Sequence, residues 1–220
     1  MKVLLNICQC YSRRRGFRFS PKKSELMIFG GRSIDSFHQL TLYGNLLPVV
    51  DSIKHVGILL NNKFKSIEKT TNACRILRSS LLSILKSGIH PFLLNPLSCC
   101  KVVFQVCYPK VLFACELWYD LTTPELLKLG RSHRFVCKTL RGLPGKTRTD
   151  KCVSLIGWLS IEAMIDKQKL QFFGRICRLN SRSLPKIVMT IRLFEFTHKC
   201  VGFQKGFIPD LMRLVRKYSL

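Results

Sequence analysis

The hydrophobic positions of the chain follow two rhythms. Leu4, Ile7, Cys8 and Tyr11 recur at i, i+3, i+4 and i+7, which predicts an amphipathic helix over residues 2–15. The next stretch, residues 17–31, changes character. Ser20-Pro21-Lys22-Lys23-Ser24 reads as a basic turn, because Pro21 fixes its own φ and pushes Ser20 towards an extended conformation. Leu26-Met27-Ile28-Phe29 is a continuous apolar run, the pattern of a strand buried on both faces, and Gly30-Gly31 ends it. Leu40–Tyr43 and Leu46–Val50 flank Gly44-Asn45, which predicts a hairpin with a two-residue turn. Ile53–Leu60 is the last expected strand.

Beyond Asn61-Asn62 the period becomes helical. Phe64, Ile67, Cys74, Leu77, Leu81 and Ile84/Leu85 predict a long amphipathic helix that Gly88 closes. Pro91 and Pro96 open a helix running to about Tyr108, and Pro109 starts a third that carries Cys115-Glu116-Leu117-Trp118. This pair is apolar almost all round and reads as core, Trp118 included. Thr123-Pro124-Glu125 is a helix start, with Leu126, Leu127, Leu129, Phe135, Val136 and Leu140 as the apolar positions that follow. A short helix over 149–156, a helix from Ser160 with a stripe at Ile161, Met164/Ile165, Leu170, Phe172/Phe173 and Ile176/Cys177, a helix from Pro185 to His198 and a last short helix beyond Pro209 complete the chain. The fold class expected is α+β, mainly α: a small antiparallel β unit over 1–62, a helical bundle over 63–142 and a helical extension over 143–220.

Charge sharpens this picture. The chain has 37 Lys and Arg against 12 Asp and Glu, a net charge of +25. The excess is spread, +13 over residues 1–110 and +12 over residues 111–220. With 47% hydrophobic residues the chain has the material for a core, so the charge belongs to a folded surface rather than to a disordered tail. Such a field attracts polyanions, nucleic acid first and an anionic membrane surface second. The candidate cations are Arg13, Arg14, Arg15, Arg18, Lys22 and Lys23 around the first turn and Lys54 on the last strand. Lys65, Lys69, Arg75 and Arg78 lie on the long helix, and Arg131, Arg134 and Lys138 on the helix after Thr123. The Arg triplet also opposes the negative end of the first helix dipole, and a basic helix face is often only solvated. Lys63, Lys86, His133 and Arg141 extend the same basic faces.

Other chemistry is sparse. The eleven cysteines show no disulfide-framework spacing and read as reduced thiols used as small hydrophobes. Cys8-x-Cys10, Cys99-Cys100 and His198-x-Cys200 do not make a zinc site. Gly145-Lys146-Thr147 is not a phosphate-binding loop, because the pattern needs a Gly where Leu140 stands and a preceding strand. The apolar region from Phe92 to Trp118 is interrupted by Lys101, Pro109 and Lys110, so no transmembrane helix is expected, and the apolar run Val3–Cys8 is too short and lacks a cleavage site, so no signal peptide is expected. The expected location is intracellular, in nucleus or cytoplasm, with no membrane partner; the oligomeric state is left open.

Four segments together resemble one family. Phe17 to Gly31, with its Ser-Pro-Lys-Lys-Ser turn and Phe-Gly ending, is similar to the segment after the catalytic strand in reverse transcriptases of LINE-type (non-LTR) retrotransposons. Ile53-Lys54-His55-Val56-Gly57-Ile58 resembles that family's Lys-Tyr-Leu-Gly-Val/Ile, with His55-Val56 in place of Tyr-Leu. Leu112-Phe113-Ala114-Cys115-Glu116-Leu117-Trp118 resembles Leu-Tyr-Gly-Cys-Glu-Leu-Trp. Ser160, Ile161, Ile165, Asp166, Lys169, Leu170 and Phe172 match a later Ser-Ile-x-x-x-Ile-Asp-x-x-Lys-Leu-x-Phe. The resemblance covers roughly residues 1–180. It implies the edge of a polymerase palm followed by a thumb, packed against template and primer. It also implies what to look for and not find: the family's Tyr/Phe-Ala-Asp-Asp precedes the first helix, and the twelve acidic residues here include no adjacent pair. The family's two divalent metal ions would have no ligands, because two-metal catalysis needs carboxylates around cations about 3.5–4 Å apart. The expectation is a fragment that is inactive as a polymerase by itself and binds RNA or DNA backbone. The alternative expectation is a pseudogene product or helical interaction protein with no nucleic-acid role.

Overall fold

Two β-hairpins at the start and a series of packed helices after them make the chain α+β and mainly α. The computed structural model describes residues 1–29, 40–62, 67–198 and 206–219, and the chain divides into two compact units, Met1–Lys65 and Ser66–Leu220.

In the first unit, helix α1 spans Lys2–Arg14. Its buried side differs from the one the periodicity predicts. Leu5 packs on Leu40, Leu42 and Leu47, and Ser12 is buried, whereas Leu4, Ile7, Cys8 and Tyr11 are exposed. The described hairpins are too small to cover two faces of a helix, so only the Leu5–Ser12 side gains a partner. Ser12 is tied down at both ends: its hydroxyl donates to the Gln9 carbonyl (2.9 Å) and shares a hydrogen bond with the Tyr43 hydroxyl (2.5 Å).

The strands also depart from the sequence pattern. β1 (Thr41–Leu42) and β2 (Asn45–Leu46) pair antiparallel with Thr41 opposite Leu46. The turn is therefore Tyr43-Gly44 rather than Gly44-Asn45, with φ of 51° and 80°. Both central residues of this tight turn need positive φ. Tyr43 accepts it because its ring is clamped by Ser12, Arg13 and Arg18. The expected single strand Ile53–Leu60 is a second hairpin, β3 (Ser52–His55) with β4 (Ile58–Asn61), turning at Val56-Gly57 with φ of 48° and 80°. The Gly that looks like a strand interior is the turn residue. Leu26–Phe29 is not a two-face-buried strand either. Its described pairing is one parallel bridge from Leu26 to Val49, with Leu26 N–H on the Pro48 carbonyl and Val50 N–H on the Leu26 carbonyl, both 2.9 Å. Pro48 has no N–H with which to extend the ladder backwards. Gly30-Gly31 lies outside the described residues.

The second unit is built on a helical core. Helix α2 (Ile67–Lys86) places Cys74, Leu77, Leu81 and Ile84 inward, as the period predicts, and Gly88 turns the chain at φ 89°. Phe64, Lys63 and Lys65 lie outside the described residues. Helix α3 (Pro96–Val111) is capped by Asn95, whose Oδ1 accepts the Leu97 N–H at 2.9 Å. Pro109 sits inside its last turn rather than starting a new helix. There the missing N–H removes a single bond, so α3 tolerates it. Cys115–Leu117 is only a 3-10 turn, entered through Ala114 at φ 56°. Helix α4 (Thr123–Arg141) begins one residue before the expected start: Thr122 is the cap, and its N–H and hydroxyl donate to Glu125 Oε2 at 2.8 and 2.7 Å. Gly142 closes it at φ 60°.

Short helix α5 (Thr149–Ser154) packs on α4, and helix α6 (Ile161–Cys177) returns to the same core, where Ile161, Met164 and Ile165 join Leu77, Val103, Cys115, Trp118 and Leu140. Seven cysteines, 74, 99, 100, 107, 115, 137 and 152, are buried free thiols. Burial pushes Cys115 and Cys137 up to about 12, so they are inert hydrophobes at neutral pH. Helices α7 (Leu184–His198) and α8 (Phe207–Tyr218) complete the described chain. No helix of the described residues is long and apolar enough to cross a membrane.

Candidate nucleic-acid interface

The charge pattern of the second unit follows from where its acids are spent. Asp166 is buried and accepts from Lys217 Nζ (2.8 Å) and the Tyr218 hydroxyl (2.9 Å), while Glu162 accepts from the same Nζ at 2.5 Å. Burial works against the Lys217 charge, but the hydrogen bonds and attraction of Asp166 and Glu162 outweigh it and hold its pKa above the ordinary value. Lys169, also buried, binds Asp210, and Arg213 Nη1 bridges Asp120 (3.2 Å) and Asp210 (3.6 Å). Ser160 caps α6, its Oγ accepting the Ala163 N–H at 3.1 Å, and Phe172 meets Phe207 edge-on at 5.5 Å. Within the spaced motif from Ser160 to Phe172, Ser160 thus caps α6, Ile161 and Ile165 enter the core, and Asp166, Lys169 and Phe172 meet α8. Among the described residues no three His, Cys, Asp or Glu side chains gather where a metal ion could be held.

The free cations lie elsewhere. On α2, Arg75 and Arg78 are exposed. On α4, so are Lys128 and Arg131. Two contacts register the helices: Lys128 Nζ donates to Thr71 Oγ1 at 2.8 Å, and the Arg78 guanidinium lies 5.5 Å from the centre of the Phe135 ring. Thr71 to Arg78 and Lys128 to Phe135 are the same interval, so α2 and α4 run side by side in one direction. Arg75 and Arg131 fall between these contacts on the same faces, by the i, i+3 and i+4 rule. Arg75, Arg78, Lys128 and Arg131 therefore form one ridge. Arg75 Nη2 is steadied by Asn72 Oδ1 at 3.1 Å.

Other predicted cations sit differently. Lys69 is half-buried, and burial pulls its pKa down. Arg134 is half-buried and lies back along its own helix over Gly130, where an added Cβ would meet its Nη1 at 3.1 Å. Lys138 donates to the Gly145 carbonyl, and Arg141 Nη2 to the Leu155 carbonyl at 2.6 Å, so both tie the end of α4 to the chain beyond it. His133 is not on the basic face at all. It is buried, hydrogen-bonded through Nδ1 to the Tyr108 hydroxyl at 2.5 Å and stacked on Trp158, and burial pulls its pKa down to about 4. Lys65 lies outside the described residues. Lys128 is not among the cations expected from sequence; its i, i+3 spacing to Arg131 is the available signal.

In the first unit Arg13, Arg14, Arg15, Arg18, Lys22, Lys23 and Lys54 are all exposed. Lys22 and Lys23 stand on a 3-10 turn, Pro21–Lys23. The arginines are partly occupied by aromatic rings: Arg18 at 4.6 Å and Arg13 at 6.0 Å from Tyr43, Arg15 at 5.7 Å from Tyr11. Each such contact is worth about 0.5–1 kcal/mol at an exposed site, so these arginines have a structural role alongside any phosphate contact.

No protein-family model matches the chain, no curated protein matches it, and no solved structure matches its fold.

Proposed function

We propose that the chain is related to the reverse transcriptases of LINE-type retrotransposons, has no polymerase activity by itself, and holds RNA or DNA backbone on the α2–α4 ridge. The observation that carries the binding reading is the set of four exposed cations, Arg75, Arg78, Lys128 and Arg131, aligned by two registered helices. Helical cations with a single aromatic among them suit phosphate contact rather than base readout. Two geometric fits support the kinship. Ala114 stands where the family motif has Gly, and its φ of 56° is a conformation in which Gly is at home. Asp166, Lys169 and Phe172 of the later motif are the residues that meet α8. In this reading the first unit corresponds to the palm edge, the α2–α4 region to the thumb, and the location is nuclear or cytoplasmic.

The two divalent ions that the resemblance implies do not fit the described residues. The described carboxylates that converge do so on cations of the chain itself, Glu162 and Asp166 on Lys217, Asp120 and Asp210 on Arg213. No catalytic step is assigned to them.

Salt titration tests the binding. Four phosphate contacts give a slope of log affinity against log salt of about −3.6 on duplex and about −2.8 on single strands. Between roughly 50 and 200 mM salt that is a loss of about 150-fold and about 50-fold. A flat titration, or no binding at the lower salt, overturns the proposal. It would favour a second reading, a helical interaction protein without a nucleic-acid role. The observation behind that reading is α7, which has no buried residue and exposes Leu184, Ile187, Val188, Ile191 and Phe194 along one side.

A further inference from the structure

The connection between α2 and α3 is a short hydrophobic knob. Phe92 is 85% exposed and Leu93 74%, with Leu94 and Leu97 about half exposed behind them. Side chains so open line no cavity; they project from the surface.

The knob is nevertheless a built structure. The Leu93 and Leu94 N–H groups both donate to the His90 carbonyl at 2.9 Å. The Phe92 N–H reaches His90 Nδ1 at 3.3 Å, and the Leu97 N–H reaches Asn95 Oδ1 at 2.9 Å. Pro91 and Pro96 have no N–H to satisfy. The Phe92 ring also stacks on His90, centroids 5.0 Å apart. The backbone donors of residues 92, 93, 94 and 97 are thus satisfied within the loop, which is what a segment needs if it is to leave water, because an unpaired peptide group in an apolar medium is costly.

The chain on either side of the knob is cationic. Lys86 at the end of α2 and Lys101 on α3 are exposed, and no Asp or Glu occurs between Glu68 and Glu116. Lys101 follows Leu97 by one helical turn, about 6 Å along the axis. That offset matches the depth of about 5–10 Å to which interfacial apolar groups enter a bilayer while lysines stay at headgroup level. A second copy is a poor occupant, because each chain has a net charge of +25.

We propose that this knob, Phe92, Leu93, Leu94 and Leu97 with Lys86 and Lys101 behind it, inserts into the surface of an anionic lipid bilayer. The spanning-length criterion speaks only to a helix that crosses the bilayer; a knob that enters only the interface carries no such signal. This inference is independent of the nucleic-acid ridge, which lies on other side chains.

The test uses the full chain and vesicles of phosphatidylcholine with about a third phosphatidylserine. Phe92→Trp supplies a reporter: its emission should shift to the blue on binding, and brominated acyl chains should quench it. Phe92→Ser with Leu93→Ser should weaken partitioning at least about tenfold, since it removes two large apolar side chains. The same double variant should keep the wild-type urea midpoint and nucleic-acid affinity. Absence of vesicle binding overturns the proposal. So does a Phe92→Trp variant that binds vesicles without quenching of the new indole, which would leave the knob for a protein pocket, and so does a double variant that binds as well as wild type. Equal binding to pure phosphatidylcholine overturns the anionic part.

Discussion

Replacing Ala114 by Gly should make the protein more stable, against the usual cost of introducing a glycine. Ala114 has φ 56° and ψ 24° and leads into the 3-10 turn that brings Cys115 and Trp118 into the core. A left-handed conformation costs an L-residue about 1–2 kcal/mol. Glycine removes that cost but gains freedom in the unfolded chain, worth about 0.4–1 kcal/mol in the opposite sense. The methyl group is only half-buried, so its loss takes away about 0.4 kcal/mol more. The balance is roughly 0.5 kcal/mol in favour of Gly. With an m-value of about 2 kcal/mol per molar, the urea midpoint rises by about 0.2–0.3 M. Ala73 is the internal comparison: it is buried in the middle of α2, and Gly there should cost about 1 kcal/mol in helix propensity before its lost methyl contacts are counted. One chemical change thus has opposite signs at two sites. Urea titrations of the two variants decide it. A midpoint for Ala114→Gly that falls as far as that of Ala73→Gly would refute the argument from backbone geometry.

Val56→Asn should stabilise the second hairpin by about 1 kcal/mol, because Val56 is an exposed β-branched residue at φ 48°; slower amide exchange in β3 and β4 is the readout. Buried His133, held at about 4 against an ordinary 6.5, takes up its proton more readily unfolded than folded. Its contribution is therefore complete above pH 6.5 and is lost as pH falls towards 4, up to about 3 kcal/mol. The double variant His133→Phe with Tyr108→Phe should flatten that part of the stability profile between these pH values. Lys169→Met should cost about 2 kcal/mol in denaturant titrations, since it leaves half-buried Asp210 with Arg213 at 3.6 Å in place of the closer ammonium.

The helices of the second unit were legible because their apolar period is clean: Cys74, Leu77, Leu81 and Ile84 on α2, Ile161 and Ile165 on α6. The turns were less so. A two-residue turn shows only as a Gly, and Gly57 reads equally well as part of an apolar strand until His55 and Ile58 are seen to pair. Helix α1 misled because periodicity reports that a face exists, not that something covers it. At the candidate site, the basic faces of α2 and α4 could be read separately. Their alignment could not, since the Lys128–Thr71 and Arg78–Phe135 contacts join residues far apart in the chain. His133 looked like part of a basic face because nothing local announces the Tyr108 hydroxyl that receives it.

The central claim is that nucleic acid is held by a particular ridge rather than by the overall charge. Two variants separate these. One neutralises the ridge, with Arg75, Arg78, Lys128 and Arg131 each replaced by Gln. The other neutralises four exposed cations elsewhere, Lys110, Lys151, Lys167 and Arg216, so that both lose the same net charge. The ridge variant should lose about 3.6 from the salt slope on duplex, and the control should keep the wild-type slope. Equal losses in the two variants would contradict the account and leave only a diffuse field.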